Sequence, residues 1–506
     1  MQTAIQQQQI RGISLRKILP NSHFFGAQDI FLGSCCADSR LCKPGDLFVA
    51  VDGPCEDGHQ YARQAVENGA VAVLGERMVP VEVPMCVVDD SRESYGKLCQ
   101  ALVGNPSEQI QVIGVTGTSG KTTVSTLIAS VLEVAGHRPG VMGSLGFSDG
   151  LDSTSVYGNK ITPAKLAHWL ARVNANRCSH AVLELSSIDL ATRQMAGIQL
   201  DIACLTNVKR RNIDFHGSVL KYRQAKGRVF RQLAPGGLAV INSDDPASKF
   251  LLSQIRHPLL TVGIKNPAEL NATAIERQLS EQTFLISAGS ETVPVCTKII
   301  GDQHIYNCLT AAAVGLIYGI DLPTIVRGLE AVSVVPQHLE RIECGQGFGV
   351  FVDSVCTPDS LANSLRTLRQ VTRGRLICVY GAPGDRDRDN RPLLGRAVER
   401  LADTGVITSD IPGTEPPLAI IHEILDGYDR PSRSQVIPDR IHAMNWALQH
   451  ARPTDSVLIT GSPVRHQQEH NGIMTSFTDP EFVREWLYES VKTKRNEPWL
   501  TSFARG

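Results

Sequence analysis

The chain has no excess of charge of either sign. Lysine and arginine number 50 against 51 aspartates and glutamates, for a net charge of −1. No stripe of basic residues interleaved with aromatics stands out, so nucleic acid is not an expected partner. Apolar runs approaching the ~20 residues that a membrane span needs are missing. The glutamine-rich start, Met1 to Ile10, has no hydrophobic signal core. The expectation is therefore a cytoplasmic protein without membrane insertion. Cysteine is present at 13 copies, but the count is odd, CxxC pairs are absent, and Cys35 and Cys36 are adjacent. Neither a disulfide framework nor a zinc site is indicated, and most thiols should be small buried side chains. What remains is ordinary: 42% hydrophobic and 20% charged over 506 residues. That length exceeds what one core usually serves, so two to four domains are expected.

The most informative stretch runs from Gln111 to Leu132. Val112 to Val115 reads as a buried parallel strand that breaks into the turn Gly117-Thr118-Ser119-Gly120, and a helix then opens on Lys121, Thr122 and Thr123. Free backbone N–H groups, the positive end of a helix dipole and an ammonium converge there, which makes a polyphosphate cradle. The spacing departs from the strict phosphate-loop pattern of four residues between glycines: Gly114 and Gly120 are separated by five, Gly117 and Gly120 by two. Downstream, Ala181 to Leu183 reads as a strand ending at Glu184. A carboxylate at the C-terminal end of a parallel strand can hold the Mg²⁺ that bridges nucleotide phosphates; a solvated loop-edge glutamate is the alternative.

The surrounding chain divides into three. Residues 1–108 read as a small α/β domain, in which Asp38-Ser39-Arg40 and Asp57-Gly58-His59 are, in isolation, turn chemistry. Residues 109–336 alternate strand and helix, the pattern of a central, P-loop-type doubly wound sheet. Residues 337–506 alternate again, with strands expected at Val350–Asp353, Leu376–Tyr380, Val406–Thr408 and Val457–Thr460. This reads as a Rossmann-like domain without a GxGxxG fingerprint. Its post-strand loops should gather along one edge facing the nucleotide. The fold class is thus α/β with three domains.

In order and over nearly the whole chain, these residues resemble the Mur ligases of the MurE type. Ala37-Asp-Ser-Arg40, Lys43 to Ala50 and Asp57-Gly-His59 look like the domain that holds the uridine end of a sugar nucleotide. Gly114 to Thr123 is similar to the family's ATP loop, and Glu184-Leu-Ser-Ser187 to its magnesium-binding segment. Asp214 to Gly217 and Tyr222 to Lys226 look like the stretch ending in a lysine that is commonly carbamylated to ligate a second magnesium. Asn307 falls on an adenine-contacting asparagine. Asp353 to Asp359 and Gly384 to Arg388 match loops of the third domain. The resemblance implies ATP binding through Gly117, Thr118, Ser119, Gly120, Lys121, Thr122, Thr123, Asn307 and Asp353. It implies magnesium on Thr122, Glu184, Asn212 and Lys226, and substrate contacts from Ser39, Arg40, Asp57, His59, Thr162, Ser186 and Arg386. Lys121, Lys226 and Glu184 would carry the chemistry: ATP phosphorylates a carboxylate to an acyl phosphate, and an amine displaces phosphate to form an amide. The partners implied are small molecules, a UDP-sugar-peptide and an amino acid; a monomer is the expectation.

Several positions depart from the family. Where it has Arg-Asp-His-Leu-Asp, this chain reads Arg210-Arg211-Asn212-Ile213-Asp214, so a histidine ligand is Asn212 and the adjacent carboxylate is cationic. Arg211 could itself replace the missing ion on phosphate. The histidine after the serine pair is Ile188, another is Cys356, and an arginine falls on Gln194 with Arg193 one place away. The diaminopimelate motif DNPR reads Asp410-Ile-Pro-Gly413, and Arg465 stands at a carboxylate position. Arg386 survives as the partner for an α-carboxylate. These changes disfavour diaminopimelate, whose second zwitterionic centre would leave unmatched charges; lysine has no positive support. A ligase acting on a different acid, or a catalytically impaired ATP-binding paralogue with a regulatory role, stays open.

Overall fold

The computed structural model describes residues 12–495 apart from 54–55, 155–160, 210, 253–254, 337, 355–356, 462–465 and 471–472. Arg210, Cys356, Arg465 and Met1 to Ile10 lie outside the described residues.

Two-sided burial organises the centre. In the strand Gln111–Thr116, Val112 joins one apolar cluster, while Ile113 and Val115 join the opposite one. A parallel strand covered by helices on both faces requires this. One face carries the helices Lys121–Val134, Asp302–Ile317 and Leu322–Ala331; the other carries Pro163–Ala175 through Leu166, Trp169, Leu170 and Val173. Each fully buried aliphatic side chain there contributes roughly 1.5–3 kcal/mol.

The strand order places the site. Gln111–Thr116 lies between His180–Leu185 and Leu200–Leu205, all parallel, with Thr116 opposite both Leu185 and Leu205. Three C-terminal strand ends therefore meet where ligands bind in open α/β sheets. On one side the sheet continues through Pro139–Gly143 to the short antiparallel strands Gly146–Ser148 and Ser153–Thr154. On the other it runs through Leu233–Asn242, Leu259–Gly263 and Leu270–Arg277 to Gln282–Ala288 and Glu291–Thr297, eleven strands in all. The last three strands form an antiparallel meander. It is a departure from the regular strand–helix alternation expected here.

Before this sheet, a five-stranded one runs in the order His23–Phe25, Met85–Val87, Ala72–Gly75, Leu47–Val49, Cys35–Cys36, with the first strand antiparallel. After it, a six-stranded one runs Glu340–Arg341, Gly349–Asp353, Ser456–Thr460, Leu376–Tyr380, Thr404–Ile407, Ser434–Val436, again with an antiparallel first strand. Among the described residues, no helix is long and apolar enough to cross a membrane.

Candidate active site

The phosphate loop is braced from the neighbouring strand end. The Thr118 N–H donates to the Asn207 carbonyl (2.8 Å), and the Ser119 N–H donates to Asn207 Oδ1 (3.0 Å). Asn207 Nδ2 and Thr206 Oγ1 both donate back to the Ser119 carbonyl, at 3.0 and 2.7 Å. Two glycines are required by space. Gly120, the residue before the helix, has φ 83°, and a Cβ there would strike Asn307 Oδ1; a Cβ on Gly117 would strike Thr206 Oγ1. Backbone N–H groups at the start of a fourteen-residue helix thus stay open to an anion.

Against that helix stands a compact oxygen cluster. Glu184 Oε2 accepts from Thr122 Oγ1, the Ser144 N–H and Ser144 Oγ, each at 3.0 Å. The Lys121 ammonium lies 3.9 Å from Glu184 Oε1. Burial pushes the Glu184 carboxyl up, but Lys121, the Ser144 N–H and the two hydroxyls outweigh it and hold the group below its ordinary value. Burial lowers Lys121, with Glu184 opposing and Arg211 reinforcing. Two hydroxyls and a carboxylate oxygen converging on one point are the hard donors that Mg²⁺ takes, so these residues fit such an ion. Thr123, on the same turn, is buried and lines the nucleotide-side cavity.

Lys226 is placed differently. Its buried Nζ donates to Thr116 Oγ1 (3.0 Å) and the Gly117 carbonyl (2.7 Å), beneath the loop. Burial, then Lys121 and Arg211, push this amine well below its usual value. Asn212 has a left-handed backbone (φ 52°) and turns its amide nitrogen to Ser187 Oγ at 3.5 Å, which also faces His216 Nε2 at 3.0 Å. Asn212 and Lys226 therefore point nitrogen at protein oxygens.

The facing domain closes the nucleotide side. Ser119 Oγ and Ser360 Oγ are 3.1 Å apart. A cavity of about 120 Å³ lies between the domains, lined by Ser119, Gly120, Asn307, His338 and Asp353 among others. Asn307 is buried over Gly120. Asp353 is buried and accepts from Ser364 Oγ at 2.6 Å; burial raises its carboxyl, with Ser364 and His338 opposing. A second cavity of about 370 Å³, lined by Arg211, Asn212, Asp214, Asp385, Arg386 and Glu415 among others, opens on the other flank. The domains touch there through the Asp387 N–H and Asp214 Oδ2 (3.1 Å).

The remaining expected substrate residues are engaged locally. Ser39 Oγ donates to Gln64 Oε1 (2.7 Å), and exposed Arg40 pairs with Asp38 at 2.7 Å. Asp57 accepts from the His59 backbone N–H and Nδ1, at 3.0 and 2.6 Å, and pairs with Arg77, while His59 Nε2 accepts the Glu76 N–H at 2.8 Å. Thr162 and Ser186 cap the helices Pro163–Ala175 and Ser187–Ala191. Arg386 is exposed. Of the departures, Ile188 lies in the short helix Ser187–Ala191, and Gln194 donates to Thr192 Oγ1 (3.2 Å). Arg193 pairs with Asp90 (3.1 Å) and Glu93, tying the first domain to the second. Gly413 lies against the Asp385 carboxylate, and Gly384 donates to the Ile411 carbonyl (2.8 Å). Most described cysteines are buried.

Sequence reasoning missed Ser144 and Arg391. Ser144 follows the strand Pro139–Gly143, and its Gly-Ser turn was the available signal. Arg391 is almost fully buried, pairing with Glu415 (2.6 Å) and Glu423 (2.7 Å), and it anchors the loop that carries Asp385 and Arg386.

A braced phosphate loop with a cation cluster, closed by a second α/β domain, defines a nucleotide-dependent phosphoryl-transfer enzyme. Residues 34–103, 115–315 and 339–463 match, respectively, the Mur ligase family catalytic domain, the Mur ligase middle domain and the Mur ligase glutamate ligase domain. The chain belongs to the Mur ligase family. It is 36% identical to the UDP-N-acetylmuramoyl-L-alanyl-D-glutamate–2,6-diaminopimelate ligase of Syntrophomonas wolfei over 92% of this chain and 97% of that protein. It is 38% identical to the ligase of the same name from Geobacillus thermodenitrificans, over 90% and 94%. A solved structure of a ligase of that name superposes with a TM-score of 0.70 at 27% identity, covering 95% of this chain and 99% of that one. The fold is also that of the MurF ligase from Thermotoga maritima in complex with ADP, with a TM-score of 0.61 at 20% identity over 91% of this chain and 98% of that one.

Proposed function

We propose that the chain joins an amino acid to a UDP-N-acetylmuramoyl-dipeptide in peptidoglycan precursor synthesis, consuming ATP through an acyl phosphate. The observation that carries this is the convergence of Lys121, Thr122, Ser144 and Glu184 on the mouth of the phosphate loop. Lys121 and the helix N–H groups hold the β- and γ-phosphates, Asn307 and Asp353 border the adenosine end, and the facing domain excludes water. Thr122, Ser144 and Glu184 would hold magnesium, which supplies positive charge to the phosphate oxygens when bound. The acceptor carboxylate attacks in line, the bond from γ-phosphorus to ADP breaks, and the amine then displaces phosphate.

For the amine, Arg386, which has no ion pair among the described residues, is suited to an α-carboxylate, while Gly413, set against the Asp385 carboxylate, offers no side chain to a distal one. This supports an amino acid other than diaminopimelate. The test is incubation with ATP, Mg²⁺, UDP-muramoyl-dipeptide and single amino acids, reading ADP and the mass of the product. One ADP per new amide is expected; ADP release without a mass-shifted acceptor would refute the reading.

A further inference from the structure

Asn207, Lys209 and Arg211 all grip the phosphate loop at Thr118. Thr118 gives its N–H to the Asn207 carbonyl (2.8 Å), accepts the Lys209 N–H on its hydroxyl (2.8 Å), and faces Arg211 Nη1 with its carbonyl (3.5 Å). The Tyr222 hydroxyl, 2.8 Å from Thr118 Oγ1, supports the same clasp. The Arg211 guanidinium is thereby carried on the loop itself. Lys226 braces the loop from beneath, and Lys121 opens the helix after it. The three cations lie within electrostatic reach of one another.

A second divalent ion would enter a region that already holds three cations, Lys121, Arg211 and Lys226, against the carboxylates of Glu184 and Asp189. Asn212 turns its amide nitrogen to Ser187, and the Lys226 nitrogen is spent on Thr116 and Gly117. Magnesium wants several hard oxygen ligands in near-octahedral array. The two residues that the resemblance assigns to a second magnesium thus offer it one amide oxygen and no carboxylate, and the fit is poor.

We infer that Arg211 supplies that charge instead: it contacts the transferring phosphoryl group as a fixed guanidinium, and the site works with one divalent ion, on Thr122, Ser144 and Glu184. Arg211 borders the cavity that also holds Arg386 and Asp214, the side from which acid and amine would arrive. A guanidinium is permanently charged and matches phosphate oxygens in a bidentate fork. It has no proton to trade in this step. The γ-phosphorus leaves the ADP oxygen for the acceptor carboxylate oxygen, and Arg211 holds equatorial oxygens throughout. Lys226 is then a loop brace carrying an unmodified amine.

This inference rests on the ligase reading, and its test separates the two. Mn²⁺ bound to the full chain with a non-hydrolysable ATP analogue and UDP-muramoyl-dipeptide is counted by electron paramagnetic resonance; one ion per chain is expected. Protein equilibrated with ¹³C-bicarbonate should show no carbamate resonance. Arg211→Ala should lower kcat by roughly 10²-fold or more, with the KM for ATP little changed, and Arg211→Lys should recover part of the loss, which a folding defect would not. Two bound Mn²⁺, a carbamate signal abolished by Lys226→Ala, or full kcat in Arg211→Ala would each overturn the inference. Absence of any amide product from the wild type would sink the ligase reading, while the ion count would still decide between one cation site and two.

Discussion

Glu184 and Arg386 carry opposite charges on the two flanks of the site, and they are held in opposite ways. Glu184 is buried and receives three hydrogen bonds at 3.0 Å from two residues on different elements. Arg386 is exposed on the second cavity and has no hydrogen bond or ion pair to any described residue. The nucleotide flank is thus prearranged, with its charges positioned before any ligand arrives, which is what stabilisation of a developing phosphoryl charge requires. The flank proposed to take the amine is left to be ordered by its substrate. Exposed side chains can change at little cost in stability, usually within ~0.5 kcal/mol.

The sharpest way to break this contrast is at the cation that opens the helix after the phosphate loop. Lys121→Ala removes a phosphate contact that strengthens as charge develops, and kcat should fall on the order of 10²-fold or more. Steady-state ADP release measures it, and full turnover would mean that the loop does not hold the transferred phosphate. A smaller effect is expected at Ser144→Ala. Glu184 keeps Thr122 and the Ser144 N–H but loses one hydroxyl, so the concentration of Mg²⁺ giving half-maximal rate should rise roughly 10-fold. An unchanged magnesium dependence would remove Ser144 from the cation cluster.

The contrast also explains what could be read from the sequence. Strand, loop, Lys-Thr and helix are consecutive, so local spacing reveals the phosphate loop; Glu184 is visible because it ends the short apolar run Ala181 to Leu183. Ser144 was marked only by a Gly-Ser turn, because it reaches Glu184 through sheet order, with Pro139–Gly143 pairing beside His180–Leu185. The meander of Leu270–Arg277, Gln282–Ala288 and Glu291–Thr297 was missed for a related reason. Its faces are only partly buried, so the apolar signal that marks the parallel strands is diluted. Arg391 resembles any surface arginine in sequence; only the fold shows it buried between Glu415 and Glu423. The family resemblance supplied Asn307 and Asp353, whose place at the domain junction no local pattern gives.

On the amine flank, Arg386→Ala should raise the KM for the amino acid roughly 10-fold, the scale of one charged hydrogen bond, and leave the KM for ATP unchanged. A matching change in both constants would show that the two flanks are not separable. Arg386→Lys should fall between, because an ammonium keeps the charge but loses the bidentate fork.

The smallest expected effect lies at the far end of the strand that carries Glu184. His180 is buried, and burial, with His137 adding to it, pushes its imidazole from 6.5 down to about 4. The unfolded chain therefore binds the proton first. Stability from keeping this ring neutral is complete above about pH 7 and is lost as pH falls from 6.5 towards 4. Chemical denaturation at pH 7 and pH 5 should show the decline, and His180→Gln should flatten it without changing the magnesium dependence at pH 7. If that variant altered the magnesium dependence, the two ends of the strand would be coupled, and the rigidity assigned to the Glu184 cluster would depend on the far end of the sheet.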